Sequence, residues 1–290
     1  MKYLWMIYNF FYYCNQFHPK FKVFSLLFII IISYFLGFIS FSIIYKKEIK
    51  QEKLKTLNYL FSNFASYSQD FEDFILYYIF YDVSNGFYID VGAHDPNYLS
   101  VTKSFYDRGW SGINIDPLPQ KYFLFKKYRP RDINLQIAVG NIEGYTNFKV
   151  YGLISSLFYN QKDNTTKIIK TPIKTMKNVC KIYVPKGSNI NFCKIDVESA
   201  EKYVLLGYDF INYRPNVFCI ESLINKKKNI PEYKEWEEIL IKNDYEFAYK
   251  FSRNRFYYDK RISNMKSKFN NLNYYIKKYF HRNRFTKHSM

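Results

Sequence analysis

YIDVGAHDP (residues 88–96) and SGINIDP (residues 111–117) contain two short apolar runs, each ending in an aspartate: Asp90 and Asp116. An apolar run closing on Asp-Val-Gly, a helix-length spacer and a second apolar run closing on Asp describe the first half of a nucleotide-binding α/β sheet. In that half the first turn meets the ligand and the second carboxylate meets its ribose. A dinucleotide fold needs glycine at three positions of a G-x-G-x-x-G turn, so that backbone can close on a pyrophosphate. Only Gly92 is present here, followed by Ala93, His94, Asp95 and Pro96. Asp90 and Asp95 repel a pyrophosphate but suit a cationic sulfonium. The reading therefore favours S-adenosylmethionine over NAD.

Outward from these runs the pattern repeats. SQDFEDFILYYIF from Ser68 carries apolar residues at helical spacing, with Ser68 as cap and Asp70 and Glu72 in the first turn, and Asn85-Gly86 ends it. FYIDV is strand one, PNYLSVTKSFYDRGW a crossover helix ending near Gly109, and GINID strand two. A helix over Tyr122–Tyr128 stops at Arg129-Pro130, and INLQIAV is strand three. Residues 141–190 break the pattern and read as an inserted hairpin with loops over the strand ends, where specificity usually lives. INFCKIDV gives strand four, SAEKYVLLGY a helix, NVFCIES strand five and EYKEWEEILIK a helix, while YEFAYKF and RFYYD close the sheet as an antiparallel pair. The βαβαβ order predicts an α/β fold with a doubly wound, mainly parallel sheet.

SQDFEDFIL, GFYIDVGAHDP, SVTKSFYDRGWSGINIDP, RPRDINLQIAVG and FCKIDVESAEKYVLLG before RPNVFCIES follow one another in order over about residues 67–223. Together they resemble the FkbM-type family of S-adenosylmethionine-dependent methyltransferases. The resemblance implies a seven-stranded, Rossmann-like methyltransferase sheet and O-methylation of a hydroxyl, on a glycan, glycolipid or similar acceptor. It places Asp90 and Gly92 on the first cofactor motif, Asp116 on the ribose-binding acid, and Asp196 and Glu198 of KIDVE beside the transferred methyl. The family usually has Gly after KIDVE, whereas this chain has Ser199, which narrows the pocket or changes acceptor preference.

Methyl transfer from a sulfonium is an in-line displacement, and a neutral hydroxyl must also lose a proton. Asp196 and Glu198 point to opposite faces if strand four continues and converge only if the chain turns there, as Ser199 in the role of helix cap predicts. Either carboxylate serves as general base, with His94 a second candidate. Alternatively Asp196, with Glu198 or Glu221, holds Mg²⁺ through oxygen ligands and lowers the hydroxyl's pKa. The plainer readings are a turn residue for His94 and Asp116, a capping carboxylate for Asp90, and a partner for a cation such as Lys194 for Glu221.

The ends of the chain are different in kind. Val23–Tyr45 holds no charged residue and exceeds the roughly 20 residues that cross a hydrocarbon core, so it reads as a retained transmembrane signal anchor after an N-terminal segment of residues 1–22. Residues 46–66 are a linker, 67–258 the methyltransferase domain and 259–290 a basic tail. Lys46, Lys47, Lys50, Lys53 and Lys55 after the span outnumber Lys2, Lys20 and Lys22 before it, which turns the C-terminal part toward the cytoplasm; a sequon at Asn164 leaves a luminal placement open.

The net charge is +18, and half of it comes from nine Lys and Arg between Lys260 and Lys287. Such a run is drawn to anionic headgroups beside an anchor, or is a solvated tail. Cys14, Cys180, Cys193 and Cys219 have no CxxC spacing, which indicates neither a zinc site nor a disulfide framework. Two other functions fit the same residues: a ligand-binding module without turnover, and a membrane-anchored nucleic-acid binder working through the tail.

Overall fold

The computed structural model describes residues 19–62, 64–151, 154–156, 167–222, 224–225 and 230–283. Within these, the description is of the backbone alone at residues 19–30, 50, 53–54, 56–62, 151, 154–156, 224–225, 230 and 278–283. Cys14, the sequon at Asn164 and part of the 141–190 insertion lie outside the described residues. The chain forms two units, Met1–Asn63 and Phe64–Met290.

The first unit contains the helix Pro19–Ser62, 44 residues long. It carries the uncharged run Val23–Tyr45, of which residues 23–30 fall outside the described side chains. Among the described residues no helix is long and apolar enough to cross a membrane. From Ile31 to Tyr45 the helix nevertheless exposes apolar side chains on all sides, among them Phe35, Leu36, Phe38 and Phe41.

The second unit is built on strands β1 (Phe87–Val91), β2 (Ser111–Ile115), β3 (Ile133–Leu135), β4 (Ala138–Gly140), β5 (Gly144–Tyr151), β6 (Ile154–Ser156), β7 (Lys167–Thr175), β8 (Ile190–Ile195), β9 (Val217–Glu221), β10 (Ile224–Asn225), β11 (Ile230–Pro231), β12 (Tyr245–Phe251) and β13 (Asn254–Asp259). Seven of them form one sheet in the order β12-β13-β9-β8-β1-β2-β3. β1, β2, β3, β8 and β9 run parallel, and β13 enters antiparallel between β9 and β12. β1, β8 and β9 are buried along their whole length, as strands covered on both faces must be. One face packs Phe80, Phe105, Trp110 and Phe192 ring against ring. The other packs Ile89, Val91, Cys193 and Ile195 on Val204, Leu205 and Val179. Cys180, Cys193 and Cys219 are free and buried.

The structure corrects several local expectations. The helix after Ser68 begins at Glu72, because Phe71 takes a left-handed φ of 59° and holds the N-cap position; the Ser68 hydroxyl donates to the Asp73 carboxylate at 2.6 Å and accepts from the Asp73 N–H of the first turn at 3.4 Å. The crossover is helical only over Lys103–Asp107, since Leu99 is left-handed and residues 96–102 run as a loop. INLQIAV divides between two sheets, β3 staying in the large one while β4 joins β7, β5 and β6. The insertion is thus a second, four-stranded sheet, followed by the helix Met176–Tyr183. Residues 259–290 contain the helices Met265–Asn270 and Leu272–Asn283. Met265, Phe269, Leu272 and Ile276 are buried, and Lys268 donates to the Ile79 carbonyl at 2.8 Å.

The loop at residues 96–102 is held by a buried guanidinium. Arg129, fully buried, donates to the Pro96 carbonyl at 3.0 Å, the Thr102 carbonyl at 3.3 Å and the Ser100 hydroxyl at 3.2 Å. Asp132, 3.9 Å away, balances its charge and accepts from the Tyr88 hydroxyl, the Gly112 N–H and the Asn114 amide. Removing the cation leaves a buried carboxylate without its counter-charge and takes the donor from the Pro96 carbonyl and the Ser100 hydroxyl, while the Thr102 carbonyl keeps the Tyr106 N–H. Arg129→Ala is therefore expected to lose about 3–5 kcal/mol in urea denaturation, with the 96–102 loop the first region to exchange its amides.

Candidate active site

The site is assembled at the C-terminal ends of β1, β2, β8 and β9. After Val91 the chain turns through Gly92, whose φ is +80°; a Cβ there would stand 1.8 Å from the Asp196 carbonyl oxygen. Only glycine lets the two strand ends approach this closely. Every amide of the turn is already used. Gly92 and Ala93 donate to the Ile115 carbonyl at 3.0 and 3.1 Å, His94 to Asp116 Oδ2 at 3.1 Å, and Asp95 to the Ala93 carbonyl at 2.8 Å. A pyrophosphate would find no free N–H here, so the turn does not suit a dinucleotide.

Asp116, 9% exposed, accepts from Leu118 N–H as well as from His94. Burial pushes its carboxyl up to about 6 against those hydrogen bonds. Asp90 is 1% exposed and lies beneath the turn. Its Oδ2 accepts from the Thr102 hydroxyl at 3.2 Å, and its Oδ1 has no hydrogen-bond partner. Lys194 stands between the strand ends, 3.7 Å from Asp90 and 3.3 Å from Asp196, and donates to the Gly92 carbonyl at 3.2 Å. Burial opposes its charge, but Asp196 and Asp90 outweigh burial and hold it above the ordinary lysine value.

β8 ends at Ile195, and Glu198 and Ser199 then adopt left-handed φ values of 53° and 78°. This is the expected turn, and it brings carboxylate oxygens of Asp196, Glu198 and Glu221 within 4.8 Å of one another. Ser199 is not the helix cap: Ala200 holds that position, and the Ser199 hydroxyl donates to Glu232 at 2.6 Å. Ser199 occupies the conformation that glycine adopts without strain, so the family's glycine has a backbone reason. The turn is closed by Glu201, 2% exposed, which accepts from the Val197 N–H at 3.0 Å.

Burial raises Glu221 well above the usual carboxylate range, helped by the Asp196 charge with which it shares a hydrogen bond. Asp196 is held low against burial by Lys194. Burial and the Asp196 charge raise Glu198. Glu221 faces Arg253 at 3.3 Å and not Lys194, and Arg253 also meets Asp70 at 3.0 Å, which gives Asp70 a partner. His94 sits in the first turn at φ 60°, half-buried. Burial and the nearby Lys121 lower its pKa, against the pull of Asp95 and Asp196.

Sequence reasoning did not single out Lys194, Glu201 or Arg253 as parts of the site. A lysine inside the buried strand INFCKI was the available signal, because a buried lysine needs paired carboxylates. Arg253 joins the site only through strand pairing and carried no local sign.

A mainly parallel seven-stranded sheet with one antiparallel strand inserted near its edge, a glycine turn at β1 and acids at the ends of β2, β8 and β9 is the architecture of a Rossmann-like methyltransferase. The chain belongs to the FkbM methyltransferase family: the methyltransferase FkbM domain matches residues 90–247, beginning at Asp90 itself. No curated protein matches the chain.

Glu201 makes the turn pH-sensitive, since burial pushes its carboxyl from 4.5 up to about 8. The folded state then binds this proton more tightly than the unfolded state, so its contribution to stability is greatest below pH 4.5 and is lost as pH rises through 8. Glu201→Gln keeps an acceptor for Val197 and removes the titration. Chemical denaturation between those limits is expected to show a shallower fall of stability with pH in this variant than in the wild type, and a more stable variant at the alkaline end.

Proposed function

We propose that this chain is a membrane-tethered, S-adenosylmethionine-dependent O-methyltransferase acting on a hydroxyl of a glycan, glycolipid or similar acceptor. The observation that carries the reading is the junction of β1 and β8, where Lys194 joins the first turn to the acids of the KIDVE segment. The turn with its spent amides suits a donor without phosphates. Gly92 and Asp116 would hold that donor, with Asp90 supporting the turn from beneath through Lys194 and Thr102. Bound S-adenosylmethionine would supply an electrophilic methyl group on a sulfonium.

The acceptor's proton is the protein's task. Asp196, 30% exposed, orients the hydroxyl, and the half-buried Glu198 with its raised pKa accepts the proton. Asp196, Glu198 and Glu221 also offer an oxygen cluster for Mg²⁺. Lys194 and Arg253 already place positive charge 3.3 Å from Asp196 and Glu221, which favours proton transfer to a carboxylate over a metal. His94, in the first turn and with its pKa lowered by burial, is the other base candidate of this region.

The membrane tether is supported by the uncharged run Val23–Tyr45 and by a helix whose apolar side chains are exposed all round, as lipid-facing helices are. With the excess of lysines after the run, the domain faces the cytoplasm, where the methyl donor is made.

Calorimetry of the detergent-solubilised full chain with S-adenosylmethionine and with NAD tests the cofactor, and release of labelled methyl into a glycolipid and glycan pool tests the reaction. Binding of S-adenosylmethionine alone is expected, with Glu198→Gln lowering the transfer rate by about 100-fold or more while leaving cofactor affinity unchanged. Binding of NAD alone would overturn the assignment.

A further inference from the structure

We propose that the outer face of the helix Pro119–Tyr128, together with the loop at Asn97–Tyr98, is a docking surface for an anionic lipid bilayer. This helix follows directly on Asp116. Its inward side is set by Phe125, which is buried, while Gln120, Phe123, Lys126 and Lys127 recur at helical spacing and are all exposed. Phe123 leaves 65% of its surface in solvent and Tyr98 leaves 69%. Such aromatic exposure has no role in the fold.

Asp95 ties the two pieces together. Its carboxylate accepts from the Tyr98 N–H at 3.0 Å and lies 3.8 Å from Lys121 on the helix. With Asp95 committed in this way, the adjoining surface carries no free acid: PLPQKYFLFKKYRPR, residues 117–131, holds five basic residues and no acidic one. Of the five, Arg129 is buried and serves the fold, whereas Lys126 and Lys127 have exposed side chains.

The combination selects its occupant. An aromatic side chain inserts at the level of lipid headgroups, and lysines beside it meet anionic phosphates. A protein partner of matching shape would want a contiguous apolar patch, which Phe123, Tyr98 and the partly exposed Tyr128, set among lysines, do not make. A duplex nucleic acid would use the lysines but keeps its base faces stacked away from an outward phenylalanine, whereas a single strand could stack on it and is therefore a competitor in the test.

The inference does not depend on methyl transfer.

The test uses the full chain in nanodiscs, labelled with an environment-sensitive fluorophore at Phe123→Cys on a Cys14→Ser background; Cys180, Cys193 and Cys219 are buried and do not compete. Discs of phosphatidylcholine are compared with discs of equal parts phosphatidylcholine and phosphatidylglycerol. A blue shift and quenching by doxyl lipids are expected in the anionic discs only. Lys126→Glu with Lys127→Glu, both at exposed positions, is expected to cut the quenching by about fivefold. The same label at Ile211→Cys, 87% exposed before β9, is expected to stay in water. Equal signals in neutral and anionic discs, or equal quenching at both label positions, would overturn the surface. An equal response to a soluble double-stranded oligonucleotide would replace the lipid assignment with a general polyanion site, and a response to a single-stranded oligonucleotide equal to that of the anionic discs would overturn it in favour of base stacking.

Discussion

A buried ammonium between two strand ends organises this site. Without Lys194, Asp90 and Asp196 would confront each other across neighbouring parallel strands in a place with little water, and one of them would have to take up a proton. With Lys194 in place, the cation stands 3.7 Å from Asp90, 3.3 Å from Asp196 and bonds the Gly92 carbonyl. One side chain thus fixes the first turn, the KIDVE turn and the charge state of the acid at the front of the site. Gly92 is the geometric counterpart: its missing Cβ lets the Asp196 carbonyl come close enough for that arrangement.

The electrostatics then separate the carboxylates into roles. Asp196 is held ionised by Lys194, while Glu221, its hydrogen-bonded neighbour, is pushed toward the neutral form. Paired acids with values driven apart are the usual substrate of acid and base chemistry. Arg253 limits how far this goes, because it approaches Glu221 from the β12–β13 turn and anchors itself on Asp70.

Much of this frame could be read in the sequence, and the parts that could not have physical reasons. FYIDV and SGINI were legible because parallel strands covered on both faces are continuous apolar runs, and the two terminal aspartates marked the turns. The chain reversal after Asp196 was legible because two acids so spaced need it in order to meet. The division of residues 133–140 between two sheets was not, since β3 and β4 read as one uninterrupted strand. Nor was the loop at 96–102: its shape is imposed by Arg129 from beyond the next strand, and no local propensity encodes it. The third acid of the cluster was legible, since Glu221 closes its own apolar run and was a candidate ligand beside Asp196; its arginine was hidden, because Arg253 meets Glu221 only across the sheet.

The segment that opens the domain and the hairpin that completes its sheet are stitched to one another: Asp70 holds Arg253, and Glu72 accepts from the Asn254 amide at 2.7 Å. These bonds span more than 180 positions of chain, yet they make the sheet's entry and exit near neighbours. A fold whose two ends meet can be spliced into a surface loop of another protein without prising that loop apart, and tolerates new termini elsewhere once the old ones are joined. The architecture is in this respect portable, a cassette that can be carried behind a separate helical unit or within a larger polypeptide.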